Sequence, residues 1–385
     1  MKPAIVIVTY NRPASLNRLL SFLSKAVFDC SDVNLIISID YQSSSTHDEV
    51  IKIANDFGWK YGSKKIIEHK NNLGLRAHVL SCGDLSEEYG AVIVLEDDIV
   101  VSPYFYNYAM RAVGVYDEDT NIAGISLYGY EWSQVADRSF CPAQNGCDVY
   151  FSQNAQSWGQ LWSYKMWREF KEWYHTHKNV EIDTNIPGNV RNWSAKSWLK
   201  YHIWYCVDKN KYFVCPYVSL STNYSDLGEH LKGDSTNFQV PILTGKRINY
   251  CMPHFNGDSI KYDVFFERQN LGIFLDIEDN ELCVDLYGKK KNREQKRYWL
   301  TSLIADFKIV KSFALQLKPH ELNIIFSING SEIFLYDIQS AVNNKKNRMK
   351  HLEAKRTLYD IKEVPSRKLL EVLKFRLLKK MKMIR

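Results

Sequence analysis

Residues 91–98 read AVIVLEDD, an apolar run that ends in three adjacent carboxylates, Glu96, Asp97 and Asp98. Five apolar residues in succession suit a strand buried on both faces, and unpaired carboxylates are costly to bury at its end. A divalent cation carrying phosphate oxygens answers that cost. Hard cations take oxygen ligands, and the ligand crevice of an open α/β sheet lies at the carboxyl ends of its strands. Capping of the next helix, with Ser102 as cap and Pro103 at the first helical position, accounts for one polar group and not for three acids. Chemistry-bearing residues recur at three other apparent strand ends: Thr9-Tyr10-Asn11-Arg12-Pro13, Asp40 followed by Tyr41-Gln42-Ser43, and Asn71-Asn72-Leu73-Gly74-Leu75-Arg76.

The elements that must position these residues alternate over the first 130 positions. PAIVIVTY reads as a strand, and PASLNRLLSFLSKA as a helix with Leu16, Leu19, Leu20 and Leu23 on one face. VNLIISID is a second strand, THDEVIKIANDFG a helix ended by Gly58, KKIIEHK a third strand and GLRAHVLSCGDLSEE a further helix. Strands separated by helices of this length imply right-handed crossovers and a mostly parallel sheet with helices on both faces. Neither GxGxxG nor GxxxxGK[ST] follows the first strand, which removes the dinucleotide and P-loop readings. Further on, NIAGISLY and KYFVCPYVSLSTN suit strands and QLWSYKMWREFKEWYHTH a helix. LGIFLDIEDNELCVDLYG reads as a hairpin about Glu278-Asp279-Asn280, and ELNIIFSINGSEIFLYDI as one with Asn329-Gly330 at its tip. The expected division is residues 1–255 (with a change of texture that separates 1–120 from 121–255), a β-rich appendage at 256–343 and a basic helical tail at 344–385.

With 45% hydrophobic and 24% charged residues, the composition is that of an ordinary globular protein. The net charge of +6 is uneven: Lys345 to Arg385 holds 15 Lys or Arg against four acids, a local +11, so the preceding residues carry −5. No apolar stretch suits a signal peptide or a membrane span, and the expected location is cytoplasmic. The eight cysteines show no CxxC pair, so a zinc cluster is not expected. Cys141 and Cys147 are close enough in sequence to pair, but free buried thiols are the expectation for such a compartment.

Together, VTYNRPASL, ISIDYQSS, NLGLRAH and LEDD, in that order at successive strand ends, resemble the GT-A class of nucleotide-sugar glycosyltransferases. The likeness is to glycosyltransferase family 2 and the N-acetylglucosaminyltransferase I-like group, of the bacterial surface-glycan type, and covers roughly residues 3–235. It implies a nucleoside-diphosphate sugar donor, a UDP-sugar preferred, with a glycan or lipid-linked glycan as acceptor. By the same resemblance Asp98 is the direct ligand of Mn²⁺ or Mg²⁺, and Glu96 or Asp97 contacts sugar or ribose. Thr9 and Gly74 belong to the donor loops, Tyr10 stacks on the base, Asp40 accepts hydrogen bonds from base or ribose, and Arg12 or Arg76 approaches the diphosphate. Trp158, Gly159 and Gln160 form an acceptor-facing loop. His230 is the expected late metal ligand, a role neutral imidazole suits.

One part of the resemblance fails. The general base of an inverting enzyme of this group lies in an acidic segment whose counterpart here, KSWLKYH, has Leu199 and Lys200. A base must be a carboxylate or His within reach of the acceptor hydroxyl. Glu229, preferred for adjoining His230, Asp226 and Asp183 are the candidates. A sugar nucleotidyltransferase is the neighbouring alternative, though VTYNRPAS lacks the Gly-rich loop that chemistry uses, and a non-catalytic glycan-binding protein is the third. In the tail, Leu370, Leu373, Leu377, Met381 and Ile384 recur at helical steps beside Arg367, Lys368, Lys374, Lys379, Lys380 and Lys382. That pattern fits a helix lying on an anionic membrane, peripheral on the inner face of the cytoplasmic membrane. No nucleic-acid motif accompanies the charge.

Overall fold

The computed structural model describes residues 1–183, 185–226, 238–343, 351–361 and 364–381. Its first half is a regular alternation: β1 (Ala4–Thr9), α1 (Pro13–Ser24), β2 (Leu35–Ile39), α2 (Ser45–Asp56), β3 (Lys64–Glu68), α3 (Gly74–Asp84), the short α4 (Ser86–Tyr89) and β4 (Ala91–Glu96). All residues of β1 and β2 are buried, as are the first five of β4, which is why these strands read as unbroken apolar runs. β1 lies between β2 and β4 and pairs parallel with both, with Val8 opposite Glu96 and Thr9 opposite Ile39. The ends of β1, β2 and β4 therefore open on one crevice, at the place where the strand order reverses.

The chain continues through β5 (Ile99–Val101), α5 (Phe105–Tyr116), β6 (Ile122–Ser126), the ribbon β7 (Trp132–Ser133) and β8 (Arg138–Ser139), β9 (Val149–Ser152) and β10 (Gln160–Ser163). Helices α6 (Tyr164–His177), α7 (Gly188–Arg191) and α8 (Leu199–Asp208) follow, then β11 (Tyr212–Pro216), β12 (Ser221–Asn223) and β13 (Lys261–Tyr262). The central sheet has nine strands in the order β13-β9-β11-β6-β10-β4-β1-β2-β3, mostly parallel, with β10 antiparallel to both its neighbours. The mixed α/β architecture with helices on both faces is the one expected, and β13 carries the sheet past residue 255. The second body is a four-stranded sheet, β14 (Leu282–Asp285), β15 (Tyr298–Thr301), β17 (Ile333–Ala341) and β16 (Phe307–Phe313) in that order, with α9 (Leu322–Ile325) beside it. Helices α10 (Leu352–Ile361) and α11 (Ser366–Lys380) end the described chain.

Local expectations fail where tertiary pairing overrides pattern. QLWS is the strand β10, and the helix starts only after Ser163, whose hydroxyl accepts from the Met166 amide. Ser102 does not cap α5 directly; the helix begins at Phe105, while the Ser102 hydroxyl accepts from Tyr104 N and donates to Leu243 O. Gly58 does not end α2, whose chain already leaves the helix at Phe57 in an extended conformation. Neither expected hairpin exists. Gly272–Phe274 is a helical turn and β14 pairs parallel with β15, while the first arm of the other is α9, organised by the buried Asn323 side chain accepting from Gln316 N and Leu317 N.

The core behind α6 and α8 contains His202, fully buried, with its ring 4.1 Å from Phe170 and 5.5 Å from Trp162 in stacked arrangements. Neither ring nitrogen has a side-chain or backbone partner within hydrogen-bond geometry among the described residues. Burial lowers its pKa to about 3, opposed by the backbone of Ala123, which is near the ring but outside hydrogen-bond geometry. The unfolded chain therefore takes up this proton first, and stability falls as pH drops below the ordinary histidine value of about 6.5, at roughly 1.4 kcal/mol per pH unit. His202→Phe removes two unsatisfied buried nitrogens, groups that typically cost about 1–3 kcal/mol each. Thermal melts should show the variant more stable at neutral pH, with the gap widening between pH 7 and pH 5. A gap that stays constant over that range contradicts the assignment.

Candidate functional site

The crevice at the ends of β1, β2 and β4 is the mouth of a cleft of about 630 Å³, within the range of small-molecule sites. Asp97 points back into the sheet, almost fully buried, and accepts from Thr9 Oγ1 at 2.8 Å and from the Arg12 guanidinium. Asp98 meets the other arm of Arg12 at 3.2 Å through Oδ2, while its Oδ1 is buried with no partner among the described residues. Glu96 lines the cleft on the opposite face of the strand, toward Trp198.

One guanidinium thus serves three acids. Burial raises the Glu96 pKa to about 8, helped by Asp98 and opposed by Arg12 and by Trp198. Burial likewise raises Asp97 to about 6 despite Arg12, Thr9 and their hydrogen bonds. Burial alone would lower the Arg12 pKa, but Asp97, Asp98 and Glu96 outweigh it and hold it above its ordinary value. The group is short of positive charge, and the orphaned Asp98 oxygen marks where a cation fits. Among the described residues no cluster of three or more His, Cys, Asp or Glu forms a metal cage. One carboxylate, water and phosphate oxygens are nevertheless a sufficient shell for Mg²⁺-like binding.

Asp40 lines the same cleft, yet its carboxylate is heavily used. Oδ1 accepts from the amides of Tyr41 and Leu73, at 2.9 and 2.8 Å, and Oδ2 from that of Gly74 at 3.0 Å. Its first role is to seat the start of α3, and Gly74, with φ of +73°, is a glycine because that turn is left-handed. Beside it the His78 imidazole bonds Ser38 Oγ at 2.8 Å. Burial lowers His78 to about 4, with Asp40 opposing and His69 adding to the shift. Tyr10 lines the cleft, half-exposed. Arg76 does not reach the acids: its guanidinium lies against Tyr201, 3.4 Å from the hydroxyl.

The opposite wall comes from the loop before β10 and from residues 189–199. Trp158 lines the cleft, stacked at 4.8 Å on Phe238 and 4.6 Å from Tyr128. Gly159 and Gln160 do not line it. Gly159 makes the turn into β10 with φ of +95°, and Gln160 is buried opposite Val94. The segment that lacks the expected acids does form this wall, through Ser197, Trp198 and Leu199, while Lys200 turns away and donates to Trp193 O at 3.2 Å.

The base candidates separate. Asp183 accepts from Asn185 N at 2.7 Å in a turn outside the cleft lining. Asp226 does line the cleft, but it accepts from Ser15 Oγ at 2.6 Å and is paired with Arg18, whose guanidinium also covers the Tyr224 ring at 3.6 Å. That pairing makes Asp226 an anchor for the segment after β12. Glu229 and His230 lie outside the described residues. β12 pairs antiparallel with β5, immediately after the acids, which brings Asn223 into the cleft and places Tyr224 N 2.9 Å from Asp98 O. Thr9 as partner of Asp97, Trp198 facing Glu96, and Arg18 with Ser15 on Asp226 were not foreseen as a set. Their sequence separations carry no local signal.

No protein-family model matches the chain, and no curated protein matches it. Solved structures with similar backbones include S. aureus TarS 1–349 in complex with UDP-GlcNAc, at 13% identity and TM-score 0.39 over 61% of this chain and 62% of that one. A mannosyltransferase from Pyrobaculum calidifontis with GDP-Man and Mn²⁺ matches at 9% identity and TM-score 0.31, over 50% and 51% of the two chains. Mouse xyloside xylosyltransferase 1 matches at 12% identity and TM-score 0.37, over 55% and 84%. The chain spans less than two thirds of the length of the first two of these proteins. The order of parallel strands and crossovers in its own central sheet is that of an open α/β fold with helices on both faces.

Proposed function

We propose that the chain is a metal-dependent glycosyltransferase. It moves a sugar from a nucleoside-diphosphate donor, a UDP-sugar preferred, to a hydroxyl of a glycan or lipid-linked glycan in surface-polysaccharide synthesis. The observation that carries this is the cation-deficient acid group at the ends of the parallel neighbours β1 and β4, with one buried Asp98 oxygen unpartnered among the described residues and Arg12 beside it. Bound Mn²⁺ or Mg²⁺ would neutralise charge on the departing diphosphate. Asp98 would hold the ion, Arg12 orients Asp97 and Asp98, and Asp40 fixes the α3 turn that borders the donor. Trp158 and Phe238 offer an aromatic face to the acceptor side, and one of the candidate bases, Glu229 before Asp226, takes the acceptor proton in an inverting transfer.

Incubation with a panel of nucleotide sugars and Mn²⁺ should release nucleoside diphosphate from one donor class, with release suppressed by chelation. Pyrophosphate release from a nucleoside triphosphate and sugar phosphate would instead establish a nucleotidyltransferase. Glycan binding without any nucleotide binding would establish the non-catalytic reading.

The tail supports a location. α11 buries none of its residues, and Leu370, Leu373, Leu377 and Met381 are each more than half exposed beside Arg367, Lys368, Lys374, Lys379 and Lys380. Among the described residues no helix is long and apolar enough to cross a membrane. An exposed helix that carries apolar side chains, Leu369, Val372 and Phe375 as well, among cations suits an anionic bilayer surface, each cation adding about 1 kcal/mol. The proposed site of action is the inner face of the cytoplasmic membrane. Co-sedimentation with phosphatidylglycerol vesicles, weakened by salt and absent with phosphatidylcholine, is the expected result. Equal pelleting with both lipids, or with neither, contradicts it.

A further inference from the structure

Cys147 and Cys251 meet at the edge of the central sheet, 104 positions apart in sequence, with their sulfurs 3.0 Å from each other. Their neighbours hold them in place. Asp148 N donates to Cys251 O at 2.8 Å, Cys251 N donates to the Asp148 carboxylate at 2.7 Å, and Arg247 pairs with the same carboxylate. Cys251 is exposed and Cys147 half-buried, whereas Cys82, Cys206, Cys215 and Cys283 are enclosed in the core. The thiols are free, as expected, and four of them are buried, but the cysteine that faces Cys147 is Cys251 and not Cys141.

We propose that Cys147 and Cys251 are a disulfide-forming pair, oxidised by small disulfides of the glutathione type. The thiolate of one cysteine attacks the glutathione disulfide, its S–S bond breaks and one glutathione leaves. The second cysteine then displaces the other glutathione. Two protein thiols are oxidised, one small disulfide is reduced to two thiols, and the two protein protons end on glutathione. Reaction by exchange requires accessible thiols, which this pair provides.

The position gives the bond a consequence. Most of the far wall of the cleft lies between the two cysteines in sequence, including Trp158, Trp198, Asn223 and Phe238. The segment reaching Cys251 leaves Phe238 stacked on Trp158, is tied through Val240 N to Thr222 Oγ1 and continues through Leu243 N bonded to Ser219 O. A bond at its end closes that wall into one covalent loop, and a crosslink of this span restricts the unfolded chain. The inference is independent of the transferase reading.

The test treats the full chain with oxidised glutathione and follows free thiols, intact mass and a non-reducing peptide map. The expected product has lost two of the eight thiols, is lighter by two hydrogens, yields a peptide joining Cys147 to Cys251, melts at higher temperature and reverts with dithiothreitol. Cys141→Ser should leave all of this unchanged, whereas Cys251→Ser should stop at a glutathione adduct. A wild-type protein that keeps all eight thiols, stops at an adduct or joins Cys141 to Cys147 overturns the proposal.

Discussion

Asp98→Ala is expected to lower sugar-transfer turnover by about 10²–10³-fold or more, the scale for removing one preorganised electrostatic group at a reacting centre, while leaving the protein folded. The two halves of that expectation have separate causes. Activity falls because Asp98 carries the one carboxylate oxygen of the acid group that is buried and unpartnered among the described residues, the atom best placed to hold a cation. The fold survives because Asp98 is a net burden on its neighbours. Its charge raises the pKa of both Glu96 and Asp97, and Arg12 keeps its pairing with Asp97 when Asp98 is gone. The check is steady-state kinetics beside a thermal melt. Retained activity removes the metal assignment, and a collapsed melting temperature shows instead that Asp98 is structural.

Arg12→Met should do the reverse, with stability as the main loss. Asp97 is almost fully buried and Arg12 is its only cationic partner among the described ion pairs. Removing one member of a buried pair typically costs about 3–5 kcal/mol, because the remaining charge is stranded. The sign of the pH dependence follows from Asp97. Its folded pKa already lies above the ordinary value, at about 6, and loss of the guanidinium drives it higher. A carboxyl raised by folding is destabilising when the unfolded chain would ionise it, and that penalty disappears as pH falls below the unfolded value near 4. The stability gap between wild type and Arg12→Met should therefore be widest near neutral pH and narrow toward pH 4. Arg12→Met with Asp97→Asn should recover much of the loss, since no charge is left to strand. A gap independent of pH, or no recovery in the double variant, would place the cost in packing of the Arg12 stem.

The first 120 residues were legible because their strands are buried on both faces and their helices are amphipathic, so β1, α1, β2, α2, β3, α3 and β4 each announce themselves locally. Their order then fixes where Thr9, Asp40 and Glu96–Asp98 converge, by topology alone. Residues 121–255 were less legible because their elements are short and take their form from partners far away. QLWS carries a helical apolar pattern and is a strand because β4 and β6 flank it. Asp226 looked like a free acid and is instead paired with Arg18, 208 positions earlier. Asp40 was read for its charge, yet three backbone amides claim it, a role visible only once α3 has folded back onto β2. The appendage hairpins failed for a similar reason. Asn329-Gly330 is a good turn signal, but Gly330 is there because its backbone lies against Ala314.

The most direct test of the central claim is calorimetric titration of UDP and GDP into the wild-type chain and Asp98→Asn, with and without Mn²⁺. The expected result is tight nucleotide binding by the wild type only with the ion, at an affinity the variant loses while still melting as a folded protein. Nucleotide binding of equal strength with and without Mn²⁺, unchanged in Asp98→Asn, would contradict it.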